Sequence, residues 1–292
     1  TTASVIPILI AASSAALTSF ALLGQDVIYP FELKTSFIVR DLPYYLGLGV
    51  FSGFISVYFS RLYLYITDKF EKVKSKITRL FIGGGILGLL ILFFPSLYGD
   101  GYESINLALL GEKEYLFEHS FCSRFSDSVE GALFLLFSIV LLKVIASAST
   151  FGAGGIGGLF APSLFVGANT GLLFASVLQY FGIRQISVSN FALVGMAGLL
   201  AGIMHAPLTG IFMIAEITGG YALFMPLMIT ATISYATVKY FDSNSIYTVR
   251  LAKRNALLTH HADKNVLYLM KVDRSEERRV GKECRLRCAP YH

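Results

Sequence analysis

Charged residues are scarce in this sequence. They make up 15% of its 292 residues, whereas soluble domains carry roughly 25%. This shortage indicates that lipid rather than water surrounds much of the chain. The three cysteines are few and odd in number, and no histidine or further cysteine stands at metal-ligand spacing from them. The sequence therefore supports neither a disulfide framework nor a metal site.

The net charge of +5 is unevenly distributed. Residues 274–292 carry six Lys/Arg against three Glu, and the rest of the chain is close to balanced. This balance argues against a nucleic-acid-binding protein.

Long uncharged runs cover the first third of the chain, at 3–24, 43–60 and 80–99. Because a membrane-spanning helix needs about 20 apolar residues, we expect three spans, with a buried core helix as the alternative for any one of them. The connection 61–79 holds six Lys/Arg and two Asp/Glu, whereas 99–128 holds six Asp/Glu and two Lys/Arg. Basic residues gather in cytoplasmic loops, so we expect 61–79 inside and 99–129 outside or at the outer surface.

Residues 144–183 then run for 40 positions without a charge. A single helix of that length would measure about 60 Å, which is twice the hydrocarbon thickness. The break is predicted within "FGAGGIGGLFAPSLFVGAN", 151–169, with a new helix over 157–181 that starts inside the membrane. Two shorter apolar runs, 191–204 and 206–218, are separated by "MHAP", where His205 is expected to be a surface or capping residue. Broken and short apolar segments are typical of secondary transporters.

The glycine-rich stretch admits more than one interpretation. Gly152, Gly154 and Gly157 fit the G-x-G-x-x-G pattern of dinucleotide-binding turns, but that turn needs a preceding strand and an acidic residue about 20 positions later. Here a run of helix length precedes the glycines, and the next acidic residue is Glu216. Two alternatives remain open on the residues alone: an anion site at the start of a half-helix, or a close-packing site between helices.

"GGLFAP", 157–162, resembles the chloride-filter motif of the CLC chloride channel and proton/chloride exchanger family. Three later segments are similar to the family's following segments in order and spacing: "GMAGLLAGIMHAPLTGIFMIAEIT" (195–218), "YALFMPLMITATISY" (221–235) and "SIYTVRLAKR" (245–254). The resemblance covers about 1–270. It implies an all-α membrane protein: the second half of an inverted-repeat fold, with broken, tilted intramembrane helices.

The same resemblance implies the functional residues. The backbone N–H groups of Leu159 and Phe160 would coordinate a chloride ion, Gly157 and Gly158 would shape the turn, and the Tyr247 hydroxyl would donate to the same ion. Without the motif, Tyr247 would be interpreted as an interfacial aromatic residue. The implied activity is chloride transport rather than enzyme catalysis, with chloride as the transported ligand and with no cofactor or metal.

The resemblance also predicts the organisation of the chain. Residues 1–255 would form the membrane domain, 256–273 resemble the start of a cytoplasmic linker toward a CBS-type regulatory region, and 274–292 change composition so abruptly that we expect an extraneous tail. A native basic tail at the membrane surface is the alternative. We expect a homodimer in a bacterial plasma membrane, with an interface built from the segments 3–24, 207–218 and 221–240.

Several questions stay open at this stage. The family's serine filter motif and its "GREGP"-like segment with the gating glutamate do not occur in this sequence, so channel and exchanger remain alternatives. Transport of another anion, and a non-conducting membrane fragment, are the other candidate functions. Lys143 could raise the potential near the pathway or extend to an interface. Glu216 is expected to be hydrogen-bonded or ion-paired.

Overall fold

The computed structural model describes residues 2–24, 38–110, 128–183, 186–217 and 221–253. The predicted linker 256–273 and tail 274–292 lie outside these ranges. The described residues form helices and connecting turns, and none of them is in a strand. In chain order the α-helices are α1 (Thr2–Leu23), α2 (Leu42–Glu71), α3 (Lys76–Phe93), α4 (Tyr102–Leu110), α5 (Val129–Gly152), α6 (Phe160–Tyr180), α7 (Val188–Met204), α8 (Pro207–Ile217), α9 (Phe224–Phe241) and α10 (Val249–Lys253).

The chain divides into two compact units, 1–246 and 247–292. The first unit contains α1 to α9. Within the part that the structure describes, the second unit consists of the residues from Tyr247 to the end of α10.

Five segments are long and apolar enough to cross a membrane, namely α1, 39–71, α3, α5 and α6. The all-α membrane architecture predicted from the uncharged runs is therefore confirmed. One boundary was wrong, because 61–71 is the last part of α2 rather than a loop. Lys, Arg and Glu are good helix formers, so the helix continues after its apolar part has ended.

The tightest packing joins α6 to α7, and glycine makes it possible. A Cβ atom built on Gly167 would lie 2.6 Å from the Cα of Met196, and one on Gly195 would lie 2.5 Å from the carbonyl oxygen of Gly167. A Cβ on Gly171 would meet the backbone of Phe191. The two helix backbones therefore touch, as membrane helices do where small residues line the interface.

Helix α2 packs against α7 and α9 through a second set of small residues. A Cβ on Gly49 would lie 2.9 Å from Ile233 of α9, and a Cβ on Gly198 of α7 would lie 3.1 Å from Ser52. The Thr230 hydroxyl donates to the Tyr45 carbonyl at 3.1 Å, which joins α9 to α2. These contacts hold α7 against α2 and α9, and α6 packs on α7.

Candidate functional site

Helix α5 ends in a Schellman motif built from the glycine-rich stretch. The N–H of Gly154 donates to the carbonyl of Phe151 at 3.1 Å, and the N–H of Gly155 donates to the carbonyl of Thr150 at 2.9 Å. Gly154 has φ +105°, a left-handed conformation that glycine adopts without steric cost. The predicted break is therefore confirmed, and Gly154 terminates the helix.

The next helix begins at the sequence motif itself. Leu159 is the N-cap residue of α6 and makes no side-chain cap, and the first helical hydrogen bond runs from the Ser163 N–H to the Leu159 carbonyl at 3.0 Å. Pro162 has no N–H, and its ring suits the first helical turn. Among the described residues, no backbone acceptor pairs with the N–H groups of Leu159, Phe160 and Ala161. This helix end is therefore open to an anion.

Four of the five predicted site residues are consecutive and form this turn. Gly157 and Gly158 are exposed, Leu159 is buried and Phe160 is half-buried. The helix starts at Phe160 rather than at 157 as predicted, and the ring of Phe151 lies beside Gly157, where a Cβ would be 2.7 Å from it. The two glycines precede the helix as exposed backbone.

Tyr247, the fifth predicted site residue, is the first residue of the second unit. Its side chain is 53% exposed, and partial burial raises the pKa of its phenol above the ordinary value. The hydroxyl is therefore protonated at neutral pH and can donate a hydrogen bond. That it donates to an ion at the 157–160 turn stays a prediction.

A cavity of about 270 Å³ adjoins the glycines of the turn. Its volume suits an ion with several waters, each of which takes about 30 Å³ in the liquid. Of the residues that the structure describes, two with charged side chains line this cavity, Asp100 and Lys143. The other lining residues are Leu87, Ile91, Leu97, Tyr98, Gly99, Ala146, Ser147, Thr150, Phe151, Ile156, Gly157, Gly158 and Pro162.

Lys143 points into the protein, so the interfacial position considered for it is wrong. Only 2% of the residue is exposed. Its ammonium donates to the carbonyls of Leu97 at 3.0 Å and Gly99 at 2.9 Å, and it lies 4.4 Å from the ring centroid of Phe165 on α6. These acceptors are more than 40 residues away in sequence, so local periodicity could not reveal them.

Two other residues occupy the positions expected of them. Glu216 accepts a hydrogen bond of 3.3 Å from the Tyr221 hydroxyl, as the expected hydrogen-bonded role required. His205 is the C-cap of α7 in a left-handed conformation, with φ 56° and ψ 35°, and Pro207 starts α8. The expected capping position of His205 is thereby confirmed.

Comparison with known proteins adds independent information. The family model described as voltage gated chloride channel matches residues 1–239. A putative chloride channel protein ClcB-like from Ralstonia nicotianae is 30% identical over 256 residues, which is 87% of this chain and 55% of that protein. Chloride channel protein CLC-f from Arabidopsis thaliana is 32% identical over 76% of this chain and 28% of its own length.

Solved structures agree with these matches. A slow cyanobacterial Cl⁻/H⁺ antiporter superposes with a TM-score of 0.64 at 26% identity, over 80% of this chain and 52% of that one. A CLC-type fluoride/proton antiporter superposes with a TM-score of 0.62 at 19% identity, over 83% and 54%, and this likeness concerns the fold alone. The chain spans about half the length of the bacterial relatives it matches. Since the family model covers most of the sequence, this integral membrane chain belongs to the voltage-gated chloride channel family, also called CLC.

Proposed function

We propose that the protein moves chloride across a membrane, as a channel or as a proton/chloride exchanger, and that this chain is the second half of its membrane domain. The observation that carries the proposal is the start of α6. A helix begins at the "GGLFAP" motif with unpaired N–H groups on Leu159, Phe160 and Ala161. The cavity beside Gly157 and Gly158 gives an ion access to this region.

The chemistry of the turn suits a transported anion. A bare anion in a low-dielectric interior costs tens of kcal/mol unless its hydration shell is replaced. Backbone N–H groups and the positive end of the helix dipole replace part of that shell without a full positive charge. Partial charges hold the ion weakly enough for it to leave again, as a transport site requires.

Two further contributions complete the proposed site. The Tyr247 hydroxyl would donate to the same ion, as the family resemblance implies. The bacterial relatives are nearly twice as long as the part matched here, so we expect their other half to supply further ligands through the family's serine turn.

The test is the chloride affinity of the protein encoded by the complete reading frame that contains this chain. Tyr247→Phe removes only the hydroxyl. A hydrogen bond to a charged group is worth about 1.5–3 kcal/mol, so calorimetry should show chloride binding weakened by roughly 10- to 100-fold. Tyr240→Phe, at a tyrosine that is exposed on α9, is the matched control and should leave the affinity unchanged.

Two results would each reject part of this proposal, and a third measurement would show whether this half conducts by itself. Unchanged chloride binding in folded Tyr247→Phe would show that Tyr247 is only an interfacial aromatic residue. Flux of another anion without chloride flux, in liposomes that contain the wild type, would assign a different substrate. An absence of flux through the 292-residue chain alone, together with flux through the complete protein, would show that this half does not conduct by itself.

We also propose a homodimer formed through the segments 3–24, 207–218 and 221–240. Large apolar side chains on these segments face outward, among them Leu208 and Phe212 of α8 and Met225 and Met228 of α9. Crosslinking in detergent should give a dimer band, and a monomer at every concentration would reject the interface. Its bacterial relatives favour the inner membrane as the location, with 61–79 on the cytoplasmic side.

A further inference from the structure

Lys143 carries a positive charge inside a membrane-embedded helix. Within the membrane, an ionisable side chain is costly and is functional by default. Its two carbonyl acceptors, on Leu97 and Gly99, and the ring of Phe165 offset part of this cost. Among the described residues, no carboxylate lies within salt-bridge distance of its ammonium.

The hydrogen bonds alone do not require a charge. They join the turn at 97–99 to α5, and a neutral amide donor could bond to the same carbonyls. An ammonium has three N–H donors, and the two carbonyls use two of them. Because Lys143 also lines the cavity beside Gly157 and Gly158, its charge acts on the cavity that adjoins residues 157–160, here called the filter turn.

Asp100 is the opposing charge in this arrangement. It lines the same cavity and interacts electrostatically with Lys143. Gly99 and Gly101 on either side of it have φ +65° and +80°, and the carbonyl of Gly99 is held by the ammonium at 2.9 Å. The Lys143 contacts thus also fix the backbone that carries the Asp100 carboxylate.

We propose that Lys143 and Asp100 form a charge pair that sets the anion affinity of the filter turn, with Lys143 raising it and Asp100 lowering it. The pair acts through the space of the cavity and does not itself coordinate the ion at the turn. This inference rests on the proposed chloride transport. It identifies two affinity-determining residues that lie outside the "GGLFAP" motif.

The experiment measures chloride flux against chloride concentration in liposomes that contain the complete protein. Coulomb's law makes the interaction between a unit charge and an anion in the same cavity worth about 1 kcal/mol or more at an effective dielectric constant of about 20, so we expect a several-fold change in affinity. Lys143→Met should therefore raise the half-maximal chloride concentration by several-fold. Asp100→Asn should lower it by several-fold, and Lys143→Arg, which keeps the charge, should stay near the wild type.

Glu103→Gln is the matched control. Glu103 lies on α4, three residues from Asp100, and does not line the cavity. Its neutralisation should leave the half-maximal concentration unchanged, which separates the cavity from a general surface-charge effect. A purely structural role of Lys143 would lower the maximal flux without producing opposite shifts in the two neutralised variants.

Each remaining outcome decides the question. If Lys143→Met does not fold, Asp100→Asn alone tests the proposal, and an unchanged or raised half-maximal concentration overturns it. Equal shifts in Asp100→Asn and Glu103→Gln would overturn it as well. A wild type that carries no chloride refutes the proposed function itself, whereas normal chloride flux with unshifted variants refutes only the charge pair.

Discussion

Gly171 of α6 should tolerate no side chain, because it lies against the backbone of α7. A Cβ there would be 2.5 Å from the carbonyl carbon of Phe191 and 2.7 Å from the Cα of Ala192, with the Phe191 carbonyl oxygen closer still. Ordinary contact begins near 3.4 Å, so Gly171→Ala must separate the two helices by about 1 Å. A gap of that size forfeits roughly a quarter to a half of the dispersion energy of the contacts it opens.

The net cost follows from two opposing effects. Overpacking costs about 1–3 kcal/mol, and occasionally more. Here the upper part of that range applies, because backbone cannot rotate away as a side chain can. Replacing glycine by alanine inside a helix also stabilises the helix by up to about 1 kcal/mol, because alanine has the higher helix propensity. We therefore expect Gly171→Ala to lose about 2 kcal/mol, which corresponds to roughly 4–8 °C in Tm for a chain of this size.

The assay is size-exclusion chromatography of the detergent-solubilised protein after heating. Gly88→Ala is the matched control, since Gly88 is also inside an apolar helix but a Cβ there meets nothing within 4 Å. The control should melt at the wild-type temperature or slightly above it. If Gly171→Ala and Gly88→Ala melted together, the backbone contact between α6 and α7 would not limit stability and the reasoning would fail.

Two further predictions concern the polar ends of the helices. Partial burial, followed by the charge of Lys239, lowers the pKa of His205 below its ordinary 6.5, and Asp242 opposes this. Because the unfolded chain then binds the proton more tightly, the stability of the protein should fall as the pH drops below about 6.5. Tm scans between pH 7 and 5 should show a flatter profile for His205→Asn, since asparagine also tolerates the left-handed backbone. The Arg61–Asp242 salt bridge measures 3.1 Å with side chains 59% and 28% exposed, so a double-mutant cycle by chemical denaturation should give a coupling below about 1 kcal/mol, and a larger value would indicate that the pair is screened from water.

The pattern of uncharged runs was sufficient to predict the membrane helices. The 40-residue run at 144–183 required a break, and the break lies in the glycine-rich stretch as expected. Its details depend on contacts that no local pattern contains. Gly154 ends α5 through a Schellman motif, and the Phe151 ring packs beside Gly157, ahead of α6.

The candidate site was only partly predictable, for a similar reason. The turn 157–160 is contiguous in sequence, so a motif could identify it. Lys143 could not be assigned between an interfacial and a buried position, because its acceptors on Leu97 and Gly99 come from a different helix connection. Tertiary contacts over more than 40 residues decide the position of such a side chain, and a single sequence does not display them.

The length of α2 has a mechanical consequence. Its 30 residues extend over about 45 Å, whereas the hydrocarbon layer is about 30 Å thick. Unless the helix is strongly tilted, its charged last part therefore stands in water as one rigid rod with the part that packs on α7 and α9. After Gly53 this helix contains neither a proline nor a glycine, and without such residues helices bend only gently. A force applied to the charged end of α2 would therefore be transmitted directly to α7 and α9, and through α7 to α6.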